Sequence, residues 1–510
     1  MSKLLANRPM PPTVVRIHTP SRRRSEANRT LNGPAMPRSL LAAVLALALA
    51  ACAAPVVTPA VDVPRQFAAA AAAQDEPELA WWERFGDPVL SDLIRRAAYQ
   101  NRDVKIAAER VRAARAGATI SRSWLYPSVS VVGGAIHADT GYDAQKRQAV
   151  PDTDLRGAGL GVSWEIDLSG RLRAGASAAE FDALTAEHGS RGVRLLVLTD
   201  VASNYFMLVG ALRQLETVRA ISAAHDETLR LVSARQRAGL ATPFDVERAQ
   251  TDASRARAAI PPLETLVAVS RHRIAVLLGD QAFNAASITP WSGEALAPLP
   301  RAGQPAALLE RRPDLLAARA QLDAANARRQ QAHAEWFPRL FLGALFGQGN
   351  ADVNDFSLGS ARFTNAAALL AMPIFNAGRT QAINEMAAAG QSVAVLRYED
   401  AIVRALEDVE NALTAVAHQR QRAETLASAS ASAEAALGRA QSLYGRGQID
   451  LLPLLDAQRT RLTVRVGAND SQTQLLLDSV QLYKALGGGW QVFEPAAPSA
   501  SAGTPRSPQS

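Results

Sequence analysis

Apolar residues follow two periods along this chain, and the switch between them marks out its elements. Leu160, Val162, Trp164, Ile166 and Leu168 alternate with Gly161, Ser163, Glu165 and Asp167, the pattern of a strand with one apolar and one wet side. A weaker, Val/Gly-rich partner is expected at about 128–137, and two more weak alternators at about 339–347 and 363–375. Elsewhere the step is three and four. Leu198, Val201, Tyr205, Leu208, Leu212 and Leu215 form one such seam, and Ile402, Leu406, Val409, Leu413 and Val416 another. Each seam lies between two glycines, Gly170 to Gly239 and Gly378 to Gly447, 69 residues apart in both cases. At about 1.5 Å per residue such a helix reaches roughly 100 Å, far beyond the 8–20 residues usual in globular proteins. The pattern predicts long helices at about 171–238 and 379–446, with return helices at 243–278 and 451–486. Leading helices over 90–121 and 306–334 stop near Tyr126-Pro127 and Phe337-Pro338, since Pro cannot continue a helix.

These elements come twice. Ser123-Trp124-Leu125-Tyr126-Pro127 recurs as Ala334-Glu335-Trp336-Phe337-Pro338, with the prolines 211 apart, and Leu168-Ser169-Gly170-Arg171 as Asn376-Ala377-Gly378-Arg379, 208 apart. Gly239, Ala249, Gln250 and Leu278-Gly279 fall on or near Gly447, Ala457, Gln458 and Leu486-Gly487 at that same offset. A constant offset over a hundred residues marks a tandem duplication. The first repeat is placed at 81–279, an inter-repeat linker at 280–302, the second repeat at 303–490 and a Pro/Ala/Ser-rich tail, expected to be disordered, at 491–510.

Charge changes the picture at one end only. The formal net charge is +7, but residues 1–51 hold eight of the 55 Lys/Arg and one of the 48 Asp/Glu, which leaves 47 of each from residue 52 onward. A folded part without basic excess argues against nucleic-acid binding. Within 1–51, Arg38 precedes the apolar run 40–49, too short to span a bilayer and suited to a signal-peptide core. Met36 just ahead of it is a candidate start. Leu49-Ala50-Ala51-Cys52 resembles a bacterial lipobox, in which the cysteine takes a diacylglycerol and becomes the N-terminus. Cys52 is the only cysteine, which excludes an internal disulfide and a Cys-rich metal site. Ala53 in place of Asp after it favours the outer membrane, and 52–80 reads as a lipidated N-terminus on a flexible tether. No other stretch reads as a transmembrane helix, so a membrane crossing requires strands in a closed barrel.

Two strands per repeat make four per chain, and four cannot close a barrel; an open edge is not tolerated in lipid. Eight strands from two chains would be filled by their own side chains, so a conducting duct needs at least three chains. The apolar side of 160–168 would meet lipid, while Ser163, Glu165 and Asp167 would face a wet lumen.

A wider resemblance is carried by Trp81-Trp82 with Phe85-Gly86-Asp87-Pro88, by Trp164-Glu165-Ile166-Asp167-Leu168 running into Gly170-Arg171, and by Arg311-Arg312-Pro313-Asp314-Leu315. It continues through Pro373-Ile374-Phe375-Asn376-Ala377-Gly378-Arg379, Leu454-Leu455-Asp456-Ala457-Gln458 and Tyr483-Lys484-Ala485-Leu486-Gly487-Gly488-Gly489-Trp490. Over roughly 80–490 the chain resembles the TolC-like outer-membrane efflux proteins, in their lipidated NodT-type branch. The resemblance implies a mainly α fold with a membrane β-barrel: a duplicated helix–β-hairpin–long helical hairpin, assembled as a homotrimer into an α-barrel tunnel under a 12-stranded β-barrel. It implies a passive duct of a tripartite pump, lipid-anchored in the outer membrane, extending into the periplasm and partnered by a periplasmic adaptor and an inner-membrane pump. The hairpin tips would dock the adaptor and form a closed gate, with Asp456 matching the gate aspartate and Tyr444 its bracing tyrosine. Leu443 stands where an arginine is often found.

From the residues themselves, Gly239 and Gly447 suit the positive φ that ends a long helix. Leu240 and Ile449 beside them are candidate contacts for a partner helix, with plain turn packing the alternative. No catalytic constellation emerges: the seven histidines lack metal-ligand spacing, only four lysines occur and there is no Walker sequence. Neither an enzyme nor a cofactor is expected, apart from lipid on Cys52. The competing reading is a lipid-anchored coiled-coil spacer without a pore. Drugs, metals and secreted proteins all remain open as cargo, with lipidation leaning to small molecules.

Overall fold

The computed structural model describes residues 55–59, 63–68, 78–279 and 303–494, except 144, 147 and 355. The leader 1–51 with Met36, the lipidation residue Cys52, the linker 280–302 and the tail beyond 494 lie outside the described residues.

In the first repeat α1 (Pro88–Gln100) and α2 (Arg102–Ser123) lead into β1 (Ser128–Ala138) and β2 (Thr153–Ile166), followed by α3 (Arg171–Arg237), α4 (Pro243–Ala258) and α5 (Ile260–Leu278). A helical turn, Leu308–Arg311, opens the second repeat. Then come α6 (Pro313–His333), β3 (Arg339–Val353), β4 (Phe356–Ala371), α7 (Arg379–Gly445) and α8 (Leu451–Ala485). The long helices α3 and α7 have 67 residues each. Their bounds differ by the 208-residue offset of the duplication.

The four strands form one antiparallel sheet in the order β1-β2-β3-β4, so the two repeats join through β2 and β3. All but β1 run further than the alternation suggested: β2 starts at Thr153 and β3 continues to Val353. Their outer halves are rich in Gly, Asp, Asn and Arg, which hides the period-two signal. Beneath the sheet α2 packs on α3, α3 on α6 and α6 on α7; toward the hairpin tips α4 and α5 pack on α3, α3 on α8 and α8 on α7. The short helices continue one another end to end. Asn101 caps α2 through Asp103 N and Val104 N and donates to Leu277 O at the end of α5 (2.8 Å). In the second repeat Arg312, just before α6, donates to Ala485 O at the end of α8 (3.1 Å). Each repeat thus contributes two near-continuous helical rods.

A dense aromatic core sits where the rods meet. Trp81 stacks on Tyr483 at 5.0 Å, and Phe85 lies 4.9 Å from Phe206. Asp87, buried, caps α1 through Val89 N and Leu90 N and accepts the Tyr205 hydroxyl. A second core joins Phe67, Leu315, Ile402, Val409 and Leu482, and a third at the tips joins Val232, Leu437, Tyr444 and Leu455.

Four expectations need correction. The first return helix is interrupted at Ala259, because Pro261 and Pro262 withhold the N–H groups that would continue α4. The described parts of the supposed tether are packed: Phe67 is buried in the second core and Val57 bonds to Asn326. At the far end Trp490–Phe493 form a 3-10 turn and Glu494 pairs with Arg191 (2.6 Å), so the tail begins later than 491. One helix, α3, is long and apolar enough to cross a membrane by length and composition, yet 67% of its most apolar window is buried in the protein.

Candidate functional site

Two places concentrate features that packing alone does not require: the two faces of the sheet and the hairpin tips. Strand register sorts the faces. Leu160 lies between Val131 and Phe346, and Val162 between Val129 and Ala344. With Trp164, Leu342, Ala366 and Ala368 they form an apolar band on one face. Beyond it, toward the β1–β2 loop, the same face turns polar at Arg156, Gln348, Asn350 and Arg362.

The other face carries Ser163 opposite Ser128 and Gly343, then Gly159 opposite Gly347. A Cβ added at Gly159 would lie 2.4 Å from Phe346 O, and one at Gly347 would lie 2.6 Å from Ala158 O. Each methyl would collide with the backbone of the neighbouring strand, so the β2–β3 seam on this face tolerates bare backbone alone. Its outer half holds an apolar hollow of about 410 Å³, lined by Val132, Ile136, Leu155, Leu345 and Phe363.

The three residues expected on a wet face therefore divide. Ser163 lies on this glycine-rich face and shares a 2.8 Å hydrogen bond with Ser128. Glu165 points to the same side but is held by Arg171 through both oxygens at 2.8 Å, and Arg171 also approaches Glu335, which pairs with Arg339. Asp167 is a correction. It lies past the end of β2 and accepts from Leu172 N (3.2 Å) and Arg173 N (2.9 Å), so it caps α3 rather than lining the sheet.

At the tips, Gly239 and Gly447 take φ of 78° and 70°. Leu240 N donates to Arg235 O and Gln448 N to Leu443 O, each bond spanning five residues, the Schellman ending of a long helix. Thr242 and Asp245 then form a reciprocal capping box that starts α4, and the bonds from Thr242 hold Asp245 below the usual carboxylate range. Leu240 is 70% exposed, whereas Ile449 is half-buried against the third core. The tips border a notch of about 280 Å³ walled by Arg235, Arg248, Asp245, Asp450 and Tyr444.

Tyr444 is buried and its ring lies under the Arg235 guanidinium at 4.7 Å. Asp456 is exposed on α8, and no described side chain of the same chain bonds to it. The buried polar brace is one that the sequence did not single out. Arg459 Nη2 reaches both oxygens of Asp252 at 2.9 and 3.0 Å, and Gln458 Nε2 donates to Thr228 (2.8 Å). The visible signal was Arg459 directly after the Leu454–Gln458 motif; its partner on α4 was not visible. Among the described residues no group of His, Cys, Asp and Glu is placed to hold a metal.

Residues 93–280 and 305–488 match the Outer membrane efflux protein family. The chain belongs to that family. Pyoverdine export outer membrane protein OpmQ of Pseudomonas aeruginosa is 33% identical over 419 residues, covering 81% of this chain and 87% of OpmQ. Solvent efflux pump outer membrane protein SrpC of Pseudomonas putida is 31% identical, covering 81% of this chain and 88% of SrpC. Among solved structures, the outer-membrane channel OprN superposes with a TM-score of 0.75 at 27% identity, over 86% of this chain and all of OprN. This outer membrane efflux protein is accordingly a passive outer-membrane channel and not an enzyme.

Proposed function

We propose that three copies of this channel protein close into one duct, the β4 edge of each pairing with the β1 edge of the next. One observation carries this: the sheet is open at both ends of its strand order, and the outermost helices carry unpartnered apolar stripes. On α7 the stripe is Met386, Val393, Leu396 and Val403; on α2 it is Ile106 and Ile120; on α5 it is Val269 and Val276. Steps of seven residues on α7 and α5, and of fourteen on α2, fit the spacing of a coiled-coil seam. Twelve strands enclose an open lumen, and the face with Ser163 and the glycine seam lines it. The apolar band on the other face meets lipid.

In this reading Cys52 carries the lipid anchor of the NodT-type branch, and the tips at Gly239, Leu240, Gly447 and Ile449 dock a periplasmic adaptor beneath an inner-membrane pump. Tyr444 and Asp456 belong to the gate. Three copies of Asp456 converging on one axis repel each other and attract cations, so the closed state needs bracing elsewhere. The cargo is small molecules such as drugs. The relatives' names span pyoverdine export, solvent efflux and, for CusC of Escherichia coli, cation efflux. That spread supports cargo selection by the inner-membrane partner.

Heat-resistant trimers in outer-membrane fractions that conduct ions in planar bilayers are the expected result. A soluble, helix-only product of the Cys52→Ser chain would instead favour a spacer without a pore. Asp456→Ala should raise basal conductance; unchanged conductance removes Asp456 from the gate.

A further inference from the structure

The two repeats correspond bond by bond. Adding 211 to a residue number in α2 or β1, or 208 to one in β2 or α3, gives its counterpart in the second repeat. The Ser128–Ser163 pair of β1 and β2 becomes Arg339–Ala371, the observed pairing of β3 and β4. The bond from Asn101 to Leu277 O likewise becomes the bond from Arg312 to Ala485 O. The chain thus holds two like units and one junction between them. When copies close into a ring, the second repeat meets the first repeat of the next copy, and the same junction recurs.

Inside the chain, contacts between α3 and the α6 end of the second repeat define that junction. Arg171 approaches Glu335 at 3.9 Å, Gly175 lies against Gln331, Asp182 pairs with Arg328 and Gly192 faces Pro313. Adding 208 to the first residue of each pair and subtracting 211 from the second gives the junction between copies. It sets Arg379 against Trp124 of the partner subunit and Ile383 against Ile120 of the partner subunit. Further along, Gly390 meets Gly117 of the partner subunit and Asp400 meets Arg102 of the partner subunit. No residue type is copied, yet each pair is complementary: a guanidinium on a ring, two apolar side chains, two glycines that permit close approach, and an acid with a base. Both sides are open to such contacts. Trp124 is 67% exposed, and neither Arg379 nor Arg102 has a side-chain bond among the described residues. A Cβ added at Gly117 or Gly390 meets nothing within 4 Å. On α3 the counterparts of Met386, Leu396 and Val403 are Ala178, His188 and Leu195, all buried. The α7 stripe lacks only the neighbour that α3 already has.

We propose that α7 seats on α2 of the partner subunit in this register, with Arg379 lying over Trp124 of the partner subunit and Gly390 against Gly117 of the partner subunit. This rests on the trimer reading above and fixes which residues meet. The same arithmetic sets the strand register: Ser163–Gly343 becomes Ala371 paired with Val132 of the partner subunit. The junction inside the chain is held by ion pairs, whereas the one between copies is held by a ring, apolar contact and close helix approach.

The test uses the full chain in outer-membrane vesicles, oxidised and run on non-reducing denaturing gels. Gly117→Cys combined with Gly390→Cys should give covalent dimers and trimers, since facing positions fall within disulfide reach; neither single variant should. Gly117→Cys combined with Val403→Cys, thirteen residues further along α7 and about 20 Å away, should give monomer alone. Trp124→Ala should lower the temperature at which heat-resistant trimers dissociate, and Trp124→Phe, which keeps a ring, should restore part of it. Trimers that do not cross-link through Gly117 and Gly390, or that cross-link equally through the displaced pair, overturn the register and leave the trimer standing. Unchanged heat resistance in Trp124→Ala overturns the contact with Arg379. Wild-type chain without any trimer overturns both readings.

Discussion

Arg459 of α8 grips Asp252 of α4 across the boundary between the two repeats, with Nη2 within 3.0 Å of both carboxylate oxygens. The Asp252 side chain is only 4% exposed, whereas that of Arg459 is 44% exposed. Removing the arginine strands a buried carboxylate, and removing the acid leaves a cation that water can reach.

The two partners should therefore respond unequally to mutation. Arg459→Ala should cost about 1–3 kcal/mol, the penalty of a buried group left unpaired. Asp252→Asn should cost less. Thermal unfolding measures both, and basal conductance in bilayers should rise with the same ranking if this brace holds the two hairpins together.

His225 gives the tip region a pH response. It is 3% exposed on α3, and burial, opposed by Asp252 and aided by Arg459, holds its pKa below the usual value. A base depressed in the folded state contributes stability that is present above pH 6.5 and lost as pH falls through its folded pKa. The melting temperature should fall between pH 7 and 5, and His225→Gln should flatten that slope. A slope unchanged by the substitution would assign the loss to other groups.

Glycines separate turn geometry from close approach. Gly239→Ala meets nothing within 4 Å but keeps φ at 78°, so it should cost about 1–2 kcal/mol and leave assembly intact. At Gly159 the added methyl would collide with the Phe346 carbonyl, and no rotamer relieves that. Gly159→Ala should block formation of heat-resistant oligomers on gels.

Leu396, 64% exposed on α7, is a direct probe of the intersubunit stripe. Leu396→Glu should abolish trimers in detergent while far-UV circular dichroism stays unchanged. A stable trimer from this variant would place the contact elsewhere.

Local signals made much of the fold legible. Glycines at 170, 239, 378 and 447 bracket the long helices because a left-handed residue is what ends or starts them. The alternation at 160–168 located β2 but misplaced its ends, since Gly, Arg and Asp in its outer half obey no period. Asp167 kept the alternation and still left the strand, because its carboxylate satisfies two orphan N–H groups of α3. Tyr444 and Asp456 were legible only by resemblance; their surroundings, Arg235 over the ring and open space around the acid, were not.

What the residues establish unaided is the duplication, the helix lengths, the strand count and the confinement of the net basic excess to the first 51 positions. These are properties of spacing along one chain. That Gly159 meets the Phe346 carbonyl, that Arg459 meets Asp252, and that Val57 and Phe67 are packed rather than loose depend on residues some 200 or more positions apart coming together. No local period encodes such meetings; they follow from how two copies of one unit pack against each other.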